Sequence, residues 1–309
     1  MITIGITYSP RMRPELRHLR YLLAVAEHAN FTRAAEALRV SQPTLSQQIG
    51  QLERALGAPL LDRTGKTVRL TDTGETYLRY VRAALRDLAA GERAVADVQD
   101  LTSGHLRLAM TPTFTAYLLG PVLTAFHEHH PGLSLDVREF TQDHIEAALL
   151  ADELDLGIAF RGPHPSGIES TELYEESLDL VVGPHHPYAG RTGSLPVSEV
   201  SSNRLALLST EFATRREIDA YFAEHRTQTH LAVEANSVTA LTEAVGHTEL
   251  ATILPDAITR DHPELYPVRL DPAIPTRTVC LLHRKNAYHS AASRAFERIV
   301  HRYDPYRPT

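Results

Sequence analysis

Phe31–Leu56, FTRAAEALRVSQPTLSQQIGQLERAL, decides the fold. Ala34, Ala35 and Leu38 make a short apolar stripe at helical spacing, and Arg39 and Val40 follow as a turn. Ser41 is a good N-cap, and Pro43 falls in the first turn, where its missing N–H costs little. Leu45, Ile49, Leu52 and Leu56 then give a second, longer helix its apolar face. The opposite face carries Gln42, Thr44, Ser46, Gln47 and Gln51, amides and hydroxyls suited to reading base edges in a major groove. Taken alone, two helices and a turn fit an ordinary surface αα-corner equally well. The next residues separate the two readings. Gly57-Ala58-Pro59 stops the helix, and Leu60–Arg63 and Thr67–Leu70 pair as short strands. Gly65 lies at the tip between them, with Arg63, Lys66 and Arg69 as cations where phosphates would lie. The pattern is a winged helix-turn-helix. Thr32 and Arg33, at the start of the first helix, complete the candidate DNA surface.

Charge follows the same division. The 309 residues carry a net −7, but residues 1–70 carry +5 and the remainder −12. A basic head on an acidic body confines DNA binding to one end. Only Lys66 and Lys285 are lysines, so an isolated arginine says little about selection for phosphate contacts. The length allows about two domains, and the 43% apolar content is ordinary for a globular protein. No run of 18 or more apolar residues occurs, and the first residues lack the basic start of a signal peptide. A cytoplasmic, nucleoid-associated protein with no membrane partner is expected. Cys280 is the only cysteine, which excludes a disulfide within the chain.

Leu16–Glu27 reads as a helix supporting the head, with Leu19, Leu22, Leu23 and Ala26 inward. Asp72 with Glu75 resembles a capping box at the start of a helix running to about Val98. Leu78, Val81, Leu85, Leu88 and Val95 fall on heptad positions there, which calls for a partner helix or for packing onto the helix's own domain. Beyond Thr102-Ser103-Gly104 the pattern alternates. Strands are expected at His105–Met110, Leu133–Phe140, Asp155–Phe160, Glu172–Tyr174, Leu178–Val182, Leu231–Ala235, Leu250–Ile253, Tyr266–Leu270 and Thr278–Arg284. Helices are expected at Ala116–His129, Asp143–Glu153, Arg215–His225, Val238–Gly246 and Ala291–Tyr303. Such alternation implies parallel sheets covered by helices, an α/β body behind an all-α winged head.

Few motifs suggest catalysis. Arg63–Thr67 lacks the first glycine of a phosphate-binding P-loop, because Leu60 stands there. His127-Glu128-His129-His130 and His185-His186-Pro187 lack metal-ligand spacing and read as a solvated helix end and a turn. No nucleophile elbow is present. The chain is therefore not expected to be an enzyme, and no cofactor or metal is called for. Ligand signals lie at strand ends instead. Thr111, Pro112, Thr113 and Phe114 lead from a strand into a helix; so do Ser209 to Arg215, with Glu211, Phe212 and Thr214, and then Asn236 and Ser237. Phe160 ends another strand. Each is an ordinary helix cap on its own; together, at carboxyl ends of strands, they suit a crevice that binds a small anion.

FTRAAEALRVSQPTLSQQIGQLERALGAPLLDRTGKTVRLTDTGE resembles the N-terminal signature of LysR-type transcriptional regulators, and the resemblance covers nearly the whole chain. LTSGHLRLAMTPTFTAYLLGP, DELDLGIAF, ESLDLVVGPHHP, LLSTEFATR, EANSVTAL and LLHRKNA are similar in particular to the cyanate-operon regulator (CynR-like) branch. The resemblance implies a DNA-binding domain at 14–70, a dimerising linker helix at 71–99 and a hinge at 100–104. It implies a sensor at 105–309 like a periplasmic solute-binding protein, with subdomain I at about 105–162 and 267–309 and subdomain II at about 163–266. Residues 1–13 precede the usual family start, so they form either a disordered tail or a segment before a true initiator at Met12. Expected partners are double-stranded operator DNA, RNA polymerase, a second copy in a dimer or tetramer, and a small anion, cyanate by branch. The rival is a solute-binding or catalytic α/β protein, against which the basic winged head counts.

Overall fold

The computed structural model describes residues 14–65, 67–99 and 104–305. The expected tail at 1–13, Lys66 and most of the hinge lie outside them. The chain folds into two compact units that divide between Glu92 and Arg93.

The first unit opens with α1 (Leu16–His28), α2 (Phe31–Ala37) and α3 (Gln42–Leu56). The caps expected from sequence are formed. Ser41 Oγ accepts from the Thr44 N–H, Pro43 sits in the first turn, and Gly57 ends α3 at φ 73°, where glycine has no Cβ to clash. Asn30 caps α2 by accepting from Thr32 and Arg33 N–H groups. The wing strands β1 (Leu61–Asp62) and β2 (Arg69–Leu70) are antiparallel and shorter than their apolar content suggested. The helix α4 (Asp72–Gln99) follows. Its cap is Thr71 rather than Asp72: the Thr71 hydroxyl accepts from Gly74 N–H and donates to the Pro59 carbonyl. Only glycine fits at 74, because a Cβ there would stand 2.0 Å from the Leu60 carbonyl oxygen. One core holds the unit together, with Leu22, Val25, Leu45, Ile49, Leu52 and Leu60 at its centre.

The heptad seam of α4 is divided. Leu78 and Val81 are only 2% exposed and belong to that winged-helix core, so they are not available to a partner helix. Leu85 is half-buried against the same core, while Leu88 and Val95 are about half exposed, at 49% and 58%.

The second unit carries β3 (Gly104–Met110), α5 (Pro112–Tyr117), α6 (Leu119–His129), β4 (Leu133–Glu139), α7 (Gln142–Leu150), β5 (Leu156–Phe160) and β6 (Ile168–Glu176). It continues with β7 (Leu178–Val182), β8 (Leu195–Pro196), β9 (Arg204–Leu208), α8 (Ala213–Glu224), β10 (His230–Ala235), α9 (Val238–His247) and β11 (Ala251–Pro255). β12 (Tyr266–Val268), β13 (Leu270–Asp271), β14 (Arg277–Arg284) and α10 (Ala291–Val300) complete it. Two five-stranded sheets result, ordered β4-β3-β5-β14-β6 and β10-β9-β11-β7-β12. Neither is purely parallel. β14 runs antiparallel to β5 and β6, and β7 runs antiparallel to β11 and β12. β14 and β7 are the strands that enter their sheets straight after a crossing from the other, without a covering helix between.

The chain passes from the first sheet to the second at Ser177 and leaves the second after Val268; β13 pairs with β8 before the chain re-enters the first sheet at Arg277. β6 is therefore part of the first sheet and β12 of the second. No strand was expected at β9, although it is interior to its sheet; four of its five residues are buried, so it shows a continuous apolar run without alternation. Both sheets contribute to one shared core in which Phe114 and Tyr117 of α5 join Val238 and Leu241 of α9.

Candidate functional site

The polar face of α3 is open to solvent. Ser41, Gln42, Pro43, Thr44 and Gln47 are exposed, as are Thr32, Arg33, Arg63 and Arg69, while Ser46 is half-buried. Several of these groups are already engaged. Thr44 Oγ1 lies 2.7 Å from Ser41 Oγ within the cap. Arg33 donates to the His28 carbonyl, and Arg63 pairs with Glu53 at 2.9 Å and lies over the Phe31 ring. Gln42 and Gln47 are thus the α3 side chains freest to meet base edges. At the wing, the Thr64 N–H and then the Thr64 hydroxyl hold the Asp62 carboxyl below its ordinary value and close the turn. Lys66 lies outside the described residues.

A contact the sequence did not disclose aims this face. His18, 1% exposed on α1, accepts the Glu15 N–H at Nδ1, which leaves its Nε2 proton to donate to Gln48 Oε1 at 2.9 Å. Gln48 is on α3, so α1 fixes the rotation of the exposed helix.

The strand-end loops of the sensor do not all meet at one surface. A cavity of about 310 Å³ is lined by Pro112, Glu139, Phe140, Thr141, His144, Glu211, Phe212 and Asn236. Thr141 and Phe212 are the residues from which α7 and α8 start, and Asn236 immediately precedes the start of α9. Two carboxylates also face the cavity, each holding a hydroxyl: Glu139 accepts from Thr115 and Glu211 from Ser209. His144 stacks on Phe140 with ring centroids 4.0 Å apart. Of the candidates from the sequence, the cavity brings together Pro112, Glu211, Phe212 and Asn236. Glu139, Phe140, Thr141 and His144 were not anticipated, although Thr141 has the cap pattern that marked the others.

The remaining candidates do not line the cavity. Thr111 and Thr113 are 3% and 1% exposed, with hydroxyls 3.2 Å apart. Phe114 is fully buried and packs on Phe160 with ring centroids 5.0 Å apart, so both serve the core rather than a ligand. Arg215 is spent on Asp219, Glu234 and the Leu208 carbonyl, so its charge is not free for an anion. Ser209 and Ser237 are half-buried. Thr214 Oγ1 accepts from Arg277 at 2.9 Å.

Arg277 centres a buried polar network. Its guanidinium pairs with Glu176 and with Glu217 and lies over the Phe160 ring, 3.7 Å from the centroid. Tyr117 donates to Glu176 and meets the Tyr174 hydroxyl at 2.9 Å. Burial pushes the Glu176 carboxyl up, against the pull of Arg277 and of Tyr117. Burial also raises Tyr117, and Glu176 raises it further. Burial opposes the charge on Arg277, but the two carboxylates outweigh it and keep the guanidinium charged.

Comparison with known proteins fits this division into winged head and two-sheet sensor. The bacterial regulatory helix-turn-helix family of the LysR type matches residues 16–75, and the LysR substrate binding domain matches residues 99–304. The chain belongs to the LysR family of transcriptional regulators. A probable hydrogen peroxide-inducible genes activator of Mycobacterium xenopi is 37% identical over 179 residues, covering 58% of this chain and 95% of that one. A hydrogen peroxide-inducible genes activator of Dickeya chrysanthemi is 30% identical over 240 residues, 78% of each chain. A full-length OxyR variant of Pseudomonas aeruginosa shares the fold with a TM-score of 0.68 at 23% identity, covering 94% of both chains. CbnR in complex with its target DNA shares it with a TM-score of 0.64 at 24% identity, covering 94% of this chain and 99% of that one.

LysR-family proteins are regulators, not enzymes; they bind operator DNA and small effectors and form oligomers. In this regulator no helix among the described residues is long and apolar enough to cross a membrane. Its single cysteine, Cys280, is buried in β14, where burial and then Glu172 push the thiol up to about 11.

Proposed function

We propose that this LysR-family regulator reads an operator with Gln42, Thr44 and Gln47 of α3 while the wing holds phosphates, and that its sensor is set by a small monoanion, cyanate by its branch resemblance. It would then control genes of cyanate detoxification from the cytoplasm, as a dimer or tetramer acting on RNA polymerase. The observation that carries the effector reading is the cavity at which α7, α8 and α9 begin. Helix starts offer free N–H groups and about half a positive charge each. Glu139 and Glu211 oppose this potential, so a small anion is held only where it reaches the N–H groups while staying away from the two carboxylates, each of which already holds a hydroxyl. Cyanate has almost no apolar surface, so N–H and O–H donors are its only source of affinity, and binding in the high micromolar to millimolar range is expected.

The relatives named for hydrogen peroxide suggest another signal. A peroxide response through a thiol needs an accessible thiolate, whereas Cys280 is buried with its thiol pushed up to about 11. That observation favours a bound effector over thiol oxidation. Calorimetric titration of the full chain with cyanate, azide and chloride tests the reading. Saturable heat is expected for cyanate and azide but not chloride, and Thr141→Val, which removes a hydroxyl from the cavity wall, is expected to weaken it. Equal heats for cyanate and chloride would refute the anion assignment.

A further inference from the structure

We propose that the groove between α6 and α10 is a second ligand site, one that takes a carboxylate carried on a compact apolar body. The two helices pack through Phe126 and Phe296, whose ring centroids are 6.0 Å apart. Outside that contact a cavity of about 330 Å³ opens, floored by Val122, Ala125, Ala295 and Ile299. This volume is at the lower end for small-molecule sites. Its rim is cationic: Arg298 and Arg302 stand on α10 and the turn that ends it, with His129 and His130 at the end of α6.

The two arginines carry the argument. They are exposed, four residues apart across the end of α10, and no side chain among the described residues pairs with either. The body beyond residue 70 carries a net −12, and the buried or half-buried Arg107, Arg215 and Arg277 there have carboxylate partners. Both helices end near the groove, and each C-terminus contributes about half a negative charge. Two guanidiniums exceed that sum, so the rim stays positive even with both imidazoles neutral. An apolar floor beneath an unpaired pair of guanidiniums matches an amphiphilic carboxylate: the body desolvates the floor, and the carboxylate relieves the repulsion. The groove shares no residue with the cavity at Glu139 and Glu211, so this inference stands apart from the cyanate reading.

The test is calorimetric titration of the full chain with 3-phenylpropionate, 3-phenylpropan-1-ol and acetate. The propionate is expected to bind, with the alcohol and acetate each weaker by about tenfold or more, because each lacks one half of the match. Arg298→Ala with Arg302→Ala should weaken the propionate by about tenfold while leaving far-ultraviolet circular dichroism unchanged, since both side chains are exposed. Filling the floor by Ala125→Trp should block binding, and Thr111→Val should not alter it. Absence of saturable heat in the millimolar range, equal binding of the alcohol, or indifference to the double arginine variant would each overturn the proposal.

Discussion

Arg277 and Glu176 stand opposite each other on β14 and β6, and both are buried, at 7% and 0% exposure. Glu176 is the last residue before the chain leaves the first sheet, and Arg277 is the first after it returns. The pair therefore staples the two crossings together, while Thr214 and Glu217 tie α8 of the second sheet's layer to the same guanidinium. Removing one partner of a buried ion pair leaves an uncompensated charge, at about 3–5 kcal/mol. Arg277→Met is expected to destabilise the full chain by that amount in denaturant titration. Adding Glu176→Met should restore part of the loss, because no buried carboxylate then remains opposite. A stability unchanged by Arg277→Met would show that the staple contributes nothing.

Changing Gln42 or Gln47 to alanine should cost about 1–3 kcal/mol per lost base contact at the operator and little on unrelated DNA. Changing Arg69 should instead weaken binding to all sequences and flatten the salt dependence. Arg63→Ala is expected to loosen the wing as well as weaken phosphate binding, since Glu53 and Phe31 hold this side chain. Anisotropy titrations at two salt concentrations separate these outcomes.

The seam of α4 makes a graded prediction for assembly. Leu88→Glu with Val95→Glu, both exposed, is expected to dissociate the oligomer while the winged head stays folded. Leu78→Glu or Val81→Glu should unfold the head instead, because both side chains are in its core. Sedimentation and thermal melts tell the two apart; a wild-type chain that sediments as a monomer at micromolar concentration would contradict the seam's role.

How far the sequence was legible depended on the range of the interaction. Ser41, Pro43 and Gly57 act within one turn of their own helix, and their roles could be read from neighbours alone. Thr71 and Asp72 both have cap chemistry, and nothing local prefers the one whose hydroxyl also reaches Pro59. β9 was hidden by its own burial, since a strand covered on both faces shows no alternation. Arg277 and Glu176 are 101 residues apart and neither has a local pattern, so the staple was invisible. The effector loops were legible as helix starts, but which of their side chains face the cavity was decided by packing around Phe114 and Phe160.

Cys280 supplies the pH prediction. Its thiol is raised from 9.0 to about 11, so the folded chain prefers the protonated form more than the unfolded chain does. Stability from this group is full below pH 9 and is lost as pH rises through about 11. Cys280→Ala should flatten that alkaline limb. In the native chain, alkylation and peroxide oxidation of Cys280 should be slow at neutral pH, and fast modification would restore a thiol-based signal to consideration.

DNA reading and effector response meet in one measurement, which tests the central claim most directly. Full-length chain is titrated onto a labelled fragment of the DNA upstream of its own gene, with and without cyanate, and binding is followed by footprinting. The expected result is a discrete footprint, lost in Gln42→Ala with Gln47→Ala, whose extent changes with cyanate but not with chloride. A footprint that ignores those substitutions, or that cyanate and chloride leave equally unchanged, would contradict it.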